Sequence, residues 1–234
     1  MTTQRSHVLS FVLAGAMLLG AGPALAQTKE PEAWLTETRA RASALEARVA
    51  EAARALDKNP KLQKFTHEQR KDLVEFVAGN LLFALVHEVG HALVTEMGLP
   101  VLGREEDAAD AYAVVSMLRI GMSFSENVLI DAAKSWFLAD ERAQTEGIKA
   151  AFYDEHGMDK QRAYQIVCLM VGSDPDKYGK LATEVGMPEQ RQAGCEGDYS
   201  NAKWSWDTLL KSHLRRPDQP KQKIDAVYGP GKGM

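Results

Sequence analysis

The chain has 234 residues, of which 45% are apolar and 26% are charged, and its formal net charge is −4. This composition is ordinary for a globular protein. The mild acidity and the lack of a basic run in the sequence argue against binding to nucleic acid or to an anionic membrane surface. We therefore expect a folded protein with no nucleic-acid partner.

The first 26 residues have the pattern of a secretory signal peptide. Arg5 gives a positive start, an apolar run follows, and Ala24–Ala26 form a small-residue cleavage site. We expect the mature chain to begin at Gln27, to be periplasmic or secreted, and to have no stable membrane association after cleavage. The alternative is an uncleaved membrane anchor, which Pro23 and the cleavage-site pattern disfavour.

The mature sequence predicts a single, mainly α domain over residues 27–216, with little or no sheet. Residues 217–234 are rich in Pro, Gly and Lys and predict an extended or flexible tail. The oligomeric state does not follow from the sequence.

Apolar periodicity and capping signals divide this domain into helices. The predicted segments in chain order are Pro31–Leu56, a helix from a capping box at Thr66 and Gln69 to Phe76, Leu81–Met97, Arg104–Ile120, a helix from a capping box at Ser123 and Glu126, and a helix capped by Asp159 that ends at Gly172. Gly79 and Asn80 are expected to break or bend the chain before Leu81. From Pro175 on, turn residues dominate, apart from a short apolar piece over Trp204–Leu210.

Two cysteines remain after the leader, Cys168 and Cys195. In an exported protein an even pair of cysteines favours one disulfide. Two free, buried thiols are the alternative.

Residues 87–91 read His-Glu-Val-Gly-His inside an apolar helix. Because positions i and i+4 lie on one face of a helix, His87 and His91 can bind one tetrahedral metal ion, and Glu88 beside them suits a general base. The alternative is two core histidines bonded to backbone carbonyls. Burying three titratable groups without partners is costly, which favours the metal site.

A catalytic zinc site commonly has a third protein ligand. Four acidic residues follow in the next predicted helix: Glu105, Glu106, Asp107 and Asp110. Glu106 and Asp110 share a helical face, so one could bind the metal while the other accepts a hydrogen bond from a ligand histidine. For Glu105 and Asp107 we favour a simpler role, complementing the helix dipole at its N-terminus.

The pattern HExxH followed by ExxxD resembles the gluzincin type of zinc metallopeptidase. More closely, the stretches HEVGHALVTEMGLPVLGREEDAAD and DEHGMDKQRAYQIVCLMVGSDP are similar to an uncharacterised bacterial family named as metallopeptidases, from about Asn80 to Trp206. The resemblance implies a zincin-like helical fold and zinc (Zn²⁺) held by His87, His91 and Glu106. It also implies that Asp110 orients a ligand histidine.

Peptide hydrolysis also requires a donor to the developing oxyanion. The candidates are His156, Arg162, Tyr164, Tyr112 and Arg191, and we favour His156, although it could equally be a surface histidine. The sequence thus predicts an exported zinc metallopeptidase acting on a peptide or protein substrate. The alternatives are a non-catalytic, metal-stabilised partner-binding or chaperone-like module and a zinc amidase acting on a cell-wall amide.

Overall fold

Helices account for most of the part of the chain that the structure, a computed structural model, describes: residues 30–213. Within these residues there is no strand, so the predicted mainly α fold is confirmed. The α-helices are α1 (Glu30–Leu56), α2 (His67–Met97), α3 (Glu105–Ile120), α4 (Ser123–Thr145), α5 (Asp159–Ser173), α6 (Pro175–Glu184), α7 (Glu189–Gln192) and α8 (Cys195–Leu210). The predicted leader 1–26 and tail 217–234 lie outside the described residues.

Helix α2 is longer than predicted. It begins with the expected capping box, in which Thr66 Oγ1 accepts from the Gln69 amide at 3.2 Å and Gln69 Oε1 accepts from the Thr66 amide at 2.9 Å. Of the break or bend predicted at Gly79 and Asn80, the break is wrong, because the helix is continuous from His67 to Met97. Gly79 is buried and faces α4 closely: a Cβ there would lie 3.1 Å from Asp131 Oδ2. Gly98, with φ +61°, ends the helix as predicted.

The core lies between α2, α3, α4 and α5. Helix α2 packs against α1, α3 and α4, and α5 packs against α3, α4, α6 and α8. Burial of large apolar side chains from all four central helices holds them together. The buried residues include Phe83, Val86 and Leu93 of α2, Val114 and Met117 of α3, Val128 and Leu129 of α4, and Ile166, Val167 and Met170 of α5.

Two predicted helix caps are wrong in detail. Met122, not Ser123, is the N-cap of α4, and Ser125 Oγ accepts from its amide at 3.2 Å. Asp159 is the first residue of α5 instead of its cap, and the Gln161 side chain accepts from the Met158 amide. In both helices the side chain that binds the free amide comes from the first turn.

The expectation of turns after Pro175 is also wrong, since α6, α7 and α8 occupy this region. A start signal for α6 was present, because Asp174 caps it and Pro175 occupies the first turn. The predicted disulfide between Cys168 and Cys195 is present and ties α5 to the first residue of α8. Trp206 of α8 is buried, and its Nε1 donates to the Ala108 carbonyl at 3.1 Å.

Candidate metal centre

A glycine within the histidine motif sets how closely α2 and α3 approach each other. A Cβ at Gly90 would lie 3.0 Å from the Cα of Ala109 on α3, so the two backbones nearly touch there. His87 and His91 precede and follow Gly90 by three residues and one residue, and Glu106 and Asp110 flank Ala109 in the same way. The close contact therefore brings two histidines and two carboxylates face to face.

The first candidate ligand set consists of His87, His91 and Glu106, whose ligand atoms all lie within 4.8 Å of one another. The two Nε2 atoms are 3.1 Å apart. Glu106 Oε2 lies 3.1 Å from Nε2 of His87, and its Oε1 lies 3.2 Å from Nε2 of His91. These separations are close to the ~3.3 Å expected between neighbouring ligands of a tetrahedral zinc with bonds of about 2.0–2.1 Å.

The carboxylate of Glu106 has an unmet requirement that a cation would satisfy. Its Oε2 is buried, and among the described residues no well-directed hydrogen bond reaches it, despite the nearby imidazole nitrogens. A buried carboxylate oxygen left in this way is costly. The donor set of two imidazoles and one carboxylate suits zinc, so the residues fit the metal that the sequence predicts.

Each of the two motif histidines has a carboxylate next to Nδ1, the ring nitrogen that does not face Glu106. Nδ1 of His87 lies 2.8 Å from Asp110 Oδ1, and Nδ1 of His91 lies 2.8 Å from Glu105 Oε1. A proton held on Nδ1 would leave the lone pair of each Nε2 available to a metal ion beside Glu106. The simple helix-dipole role expected for Glu105 is therefore incomplete, and nothing in the spacing of the sequence marked this contact.

Asp110 is almost fully buried between two partners, His87 and Arg162. Arg162 donates to Asp110 through Nε and Nη2, both at 2.8 Å, and its guanidinium stacks 4.0 Å over the ring of Trp136. Burial alone would raise the pKa of the Asp110 carboxyl, but the hydrogen bonds from His87 and Arg162 outweigh it and hold this pKa below its usual value. Asp110 is thus a fixed carboxylate behind His87.

The charge around His91 is also negative. Burial would lower its pKa, but the hydrogen bond with Glu105 and the nearby Glu106 outweigh burial and raise it above the usual value. In the absence of a metal, the site therefore favours positive charge on His91.

His156 is brought to the same carboxylate from the loop before α5. Its Nε2 lies 3.0 Å from Glu106 Oε2, and its Nδ1 lies 3.0 Å from Asp154 Oδ1. The side chain is 42% exposed, which leaves it room to turn. Glu155 completes a second group with Glu106 and His156 that could hold a cation.

Two of the other candidate oxyanion donors have partners elsewhere, and a third is buried. Tyr164 Oη donates to the Val185 carbonyl at 3.0 Å, and Arg191 pairs with Asp198. Tyr112 is buried, with its ring 4.8 Å from that of Trp206. Among these candidates, His156 is the one that lies beside Glu106.

Glu88 is exposed next to the buried His87. Within residues 35–213, no hydrogen bond or ion pair engages its carboxylate. The side chain is therefore free to contact a water molecule or a substrate above the site.

A family model described as "Putative metallopeptidase" matches residues 47–210, which include every element of this site. No curated protein and no solved structure matches the chain.

Proposed function

Because the chain belongs to this metallopeptidase family, we propose that it is a zinc-dependent enzyme that hydrolyses peptide bonds. The observation that carries the proposal is the position of Glu106. One of its carboxylate oxygens lies 3.1 Å from Nε2 of His87, and the other lies 3.2 Å from Nε2 of His91. Three ligands of this kind leave one position of a tetrahedral site open, as catalytic zinc sites require.

His87, His91 and Glu106 would hold the zinc. When bound, zinc acts as a Lewis acid that lowers the pKa of water toward about 7 and polarises a carbonyl group. Asp110 and Glu105 hold the protons of the two imidazoles on Nδ1. The imidazoles therefore keep Nε2 available as a ligand atom.

Glu88 acts as the general base. Its exposed carboxylate takes a proton from the attacking water and later delivers it to the amine that leaves, so the proton balance closes within one residue. Its position next to His87 on α2 places it beside the ligand cluster without making it a member of that cluster.

His156 donates a hydrogen bond to the oxyanion that forms at the substrate carbonyl. Asp154 Oδ1 contacts its Nδ1 at 3.0 Å and also accepts from its backbone amide at 2.9 Å, which directs Nε2 toward Glu106. A donor aimed at developing charge contributes on the order of a hundredfold to the rate.

We place the enzyme outside the cytoplasm, in the periplasm or secreted, with an unfolded protein or peptide as substrate. The leader-like residues 1–26 and the disulfide between Cys168 and Cys195 both favour an oxidising compartment. A net negative charge is consistent with the absence of a nucleic-acid partner.

The test is Glu88→Gln in the mature, zinc-loaded chain, with digestion of an unstructured protein followed by mass spectrometry. We expect zinc content to stay the same and the cleavage rate to fall by about 10²–10⁴-fold. Glu96→Gln, at another exposed glutamate of α2, is the matched control and should cleave at the wild-type rate.

Two results would overturn this function. Cleavage by the Glu88→Gln variant at the wild-type rate would show that Glu88 is not the general base. A wild-type chain that binds zinc but cleaves no peptide would indicate a non-catalytic, metal-stabilised module or, if it hydrolyses cell-wall fragments, an amidase.

A further inference from the structure

Helix α2 carries a row of apolar side chains on its solvent side. Leu73, Val77, Leu81 and Leu85 are 45%, 59%, 69% and 45% exposed. At about 100° per residue they fall within a sector of about 120° around the helix axis. We call these four residues the α2 stripe.

The α2 stripe leads to the proposed general base. Glu88 follows Val77 by eleven residues and Leu81 by seven, spacings close to whole helical turns, so all three side chains lie on one exposed face. With a rise of about 1.5 Å per residue, Leu81 lies about 10 Å from Glu88 along the axis and Val77 about 16 Å. An extended peptide covers these distances in about three and five residues.

Exposed apolar side chains also occur on the loop that brings His156 to the site. Phe152 and Tyr153 are 86% and 93% exposed, and His156 of the same loop lies 3.0 Å from Glu106. Leu102, on the loop that precedes α3 and Glu106, is fully exposed. Exposed apolar side chains thus occur on α2 and on the two loops that precede His156 and Glu106 in the sequence.

The absence of a strand from residues 30–213 determines how a substrate can be held. An extended peptide cannot pair its backbone with a sheet edge in this part of the chain, so its side chains must supply the affinity. We propose that the α2 stripe and the two loops bind apolar side chains of an unstructured polypeptide near the bond that is cleaved. This inference rests on the proposed function.

The surroundings of the α2 stripe favour a polypeptide over a lipid surface. By length and composition alone, α2 is the one described helix that could cross a membrane. However, the exposed carboxylate of Glu88 lies on this face, and anionic lipid would repel it. A second copy of the chain could also cover the α2 stripe, and the experiment below distinguishes it from a polypeptide.

The experiment measures peptide binding separately from catalysis. The Glu88→Gln chain, loaded with zinc, is titrated into a fluorescein-labelled peptide that carries spaced leucines and into a matched peptide with serines in their place. Fluorescence anisotropy should show that the leucine peptide binds at least about tenfold more tightly, equivalent to about 1.4 kcal/mol. Adding Leu81→Ser should remove most of this difference.

Leu138→Ser, at an exposed leucine of α4, is the matched control and should leave the preference intact. Circular dichroism and zinc analysis should be unchanged in both serine variants, since neither side chain is buried. Equal binding of the two peptides, or loss of the preference in the Leu138→Ser variant alone, would overturn the inference.

Other occupants give different results. A dimer in light scattering that Leu81→Ser dissociates would assign the α2 stripe to a second copy. Flotation with phosphatidylcholine vesicles that depends on Leu81, without a preference for the leucine peptide, would assign it to lipid. Either result contradicts the inference. A failure of the proposed function gives a different result: the wild-type chain cleaves no peptide but still binds the leucine peptide more tightly.

Discussion

The carboxylate of Asp110 lies 2.8 Å from Nδ1 of His87, a residue 23 positions earlier on a different helix. Arg162 holds the same carboxylate from the other side through two hydrogen bonds. A buried histidine thus has its ring orientation and its proton fixed before any metal binds. This pre-organisation is the reason to expect a strong site.

Asp110→Asn is expected to weaken zinc binding by about 10–100-fold, because an amide is a poorer acceptor for the Nδ1 proton of His87 and leaves Arg162 without its charge partner. Competition with a chromophoric chelator measures the change. Asp107→Asn is the control. Asp107 lies on the same helix, but its carboxylate accepts a hydrogen bond from Arg104, which precedes the helix, and not from a histidine. A similar loss in both variants would contradict a specific role for Asp110.

The stability of the metal-free chain should depend on Asp110 in a defined pH window. Its pKa is lower in the folded protein than the ordinary value of 3.8, so the carboxylate stabilises the fold above about pH 4. This contribution is lost as the pH falls through the folded-state pKa. In urea unfolding, the free energy of unfolding of Asp110→Asn should be about 3 kcal/mol below that of the wild type at pH 7. This difference should become smaller below pH 4. A constant difference would contradict the charged state of Asp110.

Gly90→Ala should loosen the metal centre from a position that carries no ligand. The added methyl would lie 3.0 Å from the Cα of Ala109, so α3 must move by a few tenths of an ångström and carry Glu106 away from the histidines. We expect zinc affinity to fall by about tenfold, as measured by isothermal titration calorimetry. Gly197→Ala on α8, where a Cβ meets nothing within 4 Å, should bind zinc with wild-type affinity. Unchanged binding by the Gly90→Ala variant would show that the close approach is not required.

The disulfide should stabilise the C-terminal helices without entering the metal site. Cys168 and Cys195 close a loop of 27 residues, for which the chain-entropy account gives about 3.5 kcal/mol. Replacing both cysteines with alanine should lower the melting temperature by about 10 °C in calorimetry, while zinc affinity is unchanged. A melting temperature within a degree or two of the wild type would contradict this.

The sequence predicted those parts of the site that depend on helical spacing. His87, His91, Glu106 and Asp110 occupy i, i+4 positions on two helices, and the structure brings the four side chains together. The contact between Glu105 and His91 was not predictable in this way. It depends on the register of α3 against α2, which Gly90 and Ala109 set and which local periodicity does not contain.

The C-terminal helices were missed for a related reason. Helices α6 and α7 have few buried residues, and α8 buries chiefly Cys195, Trp206 and Leu210. Apolar periodicity is weak in α8, and α7 has only four residues, whereas α6 is amphipathic but only ten residues long. Contacts with α5 stabilise all three helices. The cysteine pair did indicate that this region is tied to the rest of the domain.

The most direct test of the account is X-ray absorption at the zinc K edge, on the mature chain loaded with one equivalent of zinc. We expect one tightly held ion per chain, with nitrogen and oxygen ligands at about 2.0–2.2 Å, outer-shell scattering from two imidazoles, and weaker zinc retention in Glu106→Ala. A chain that retains no zinc after dialysis, or one whose spectrum is unchanged in Glu106→Ala and His91→Ala, would contradict the metal centre on which the proposed activity depends.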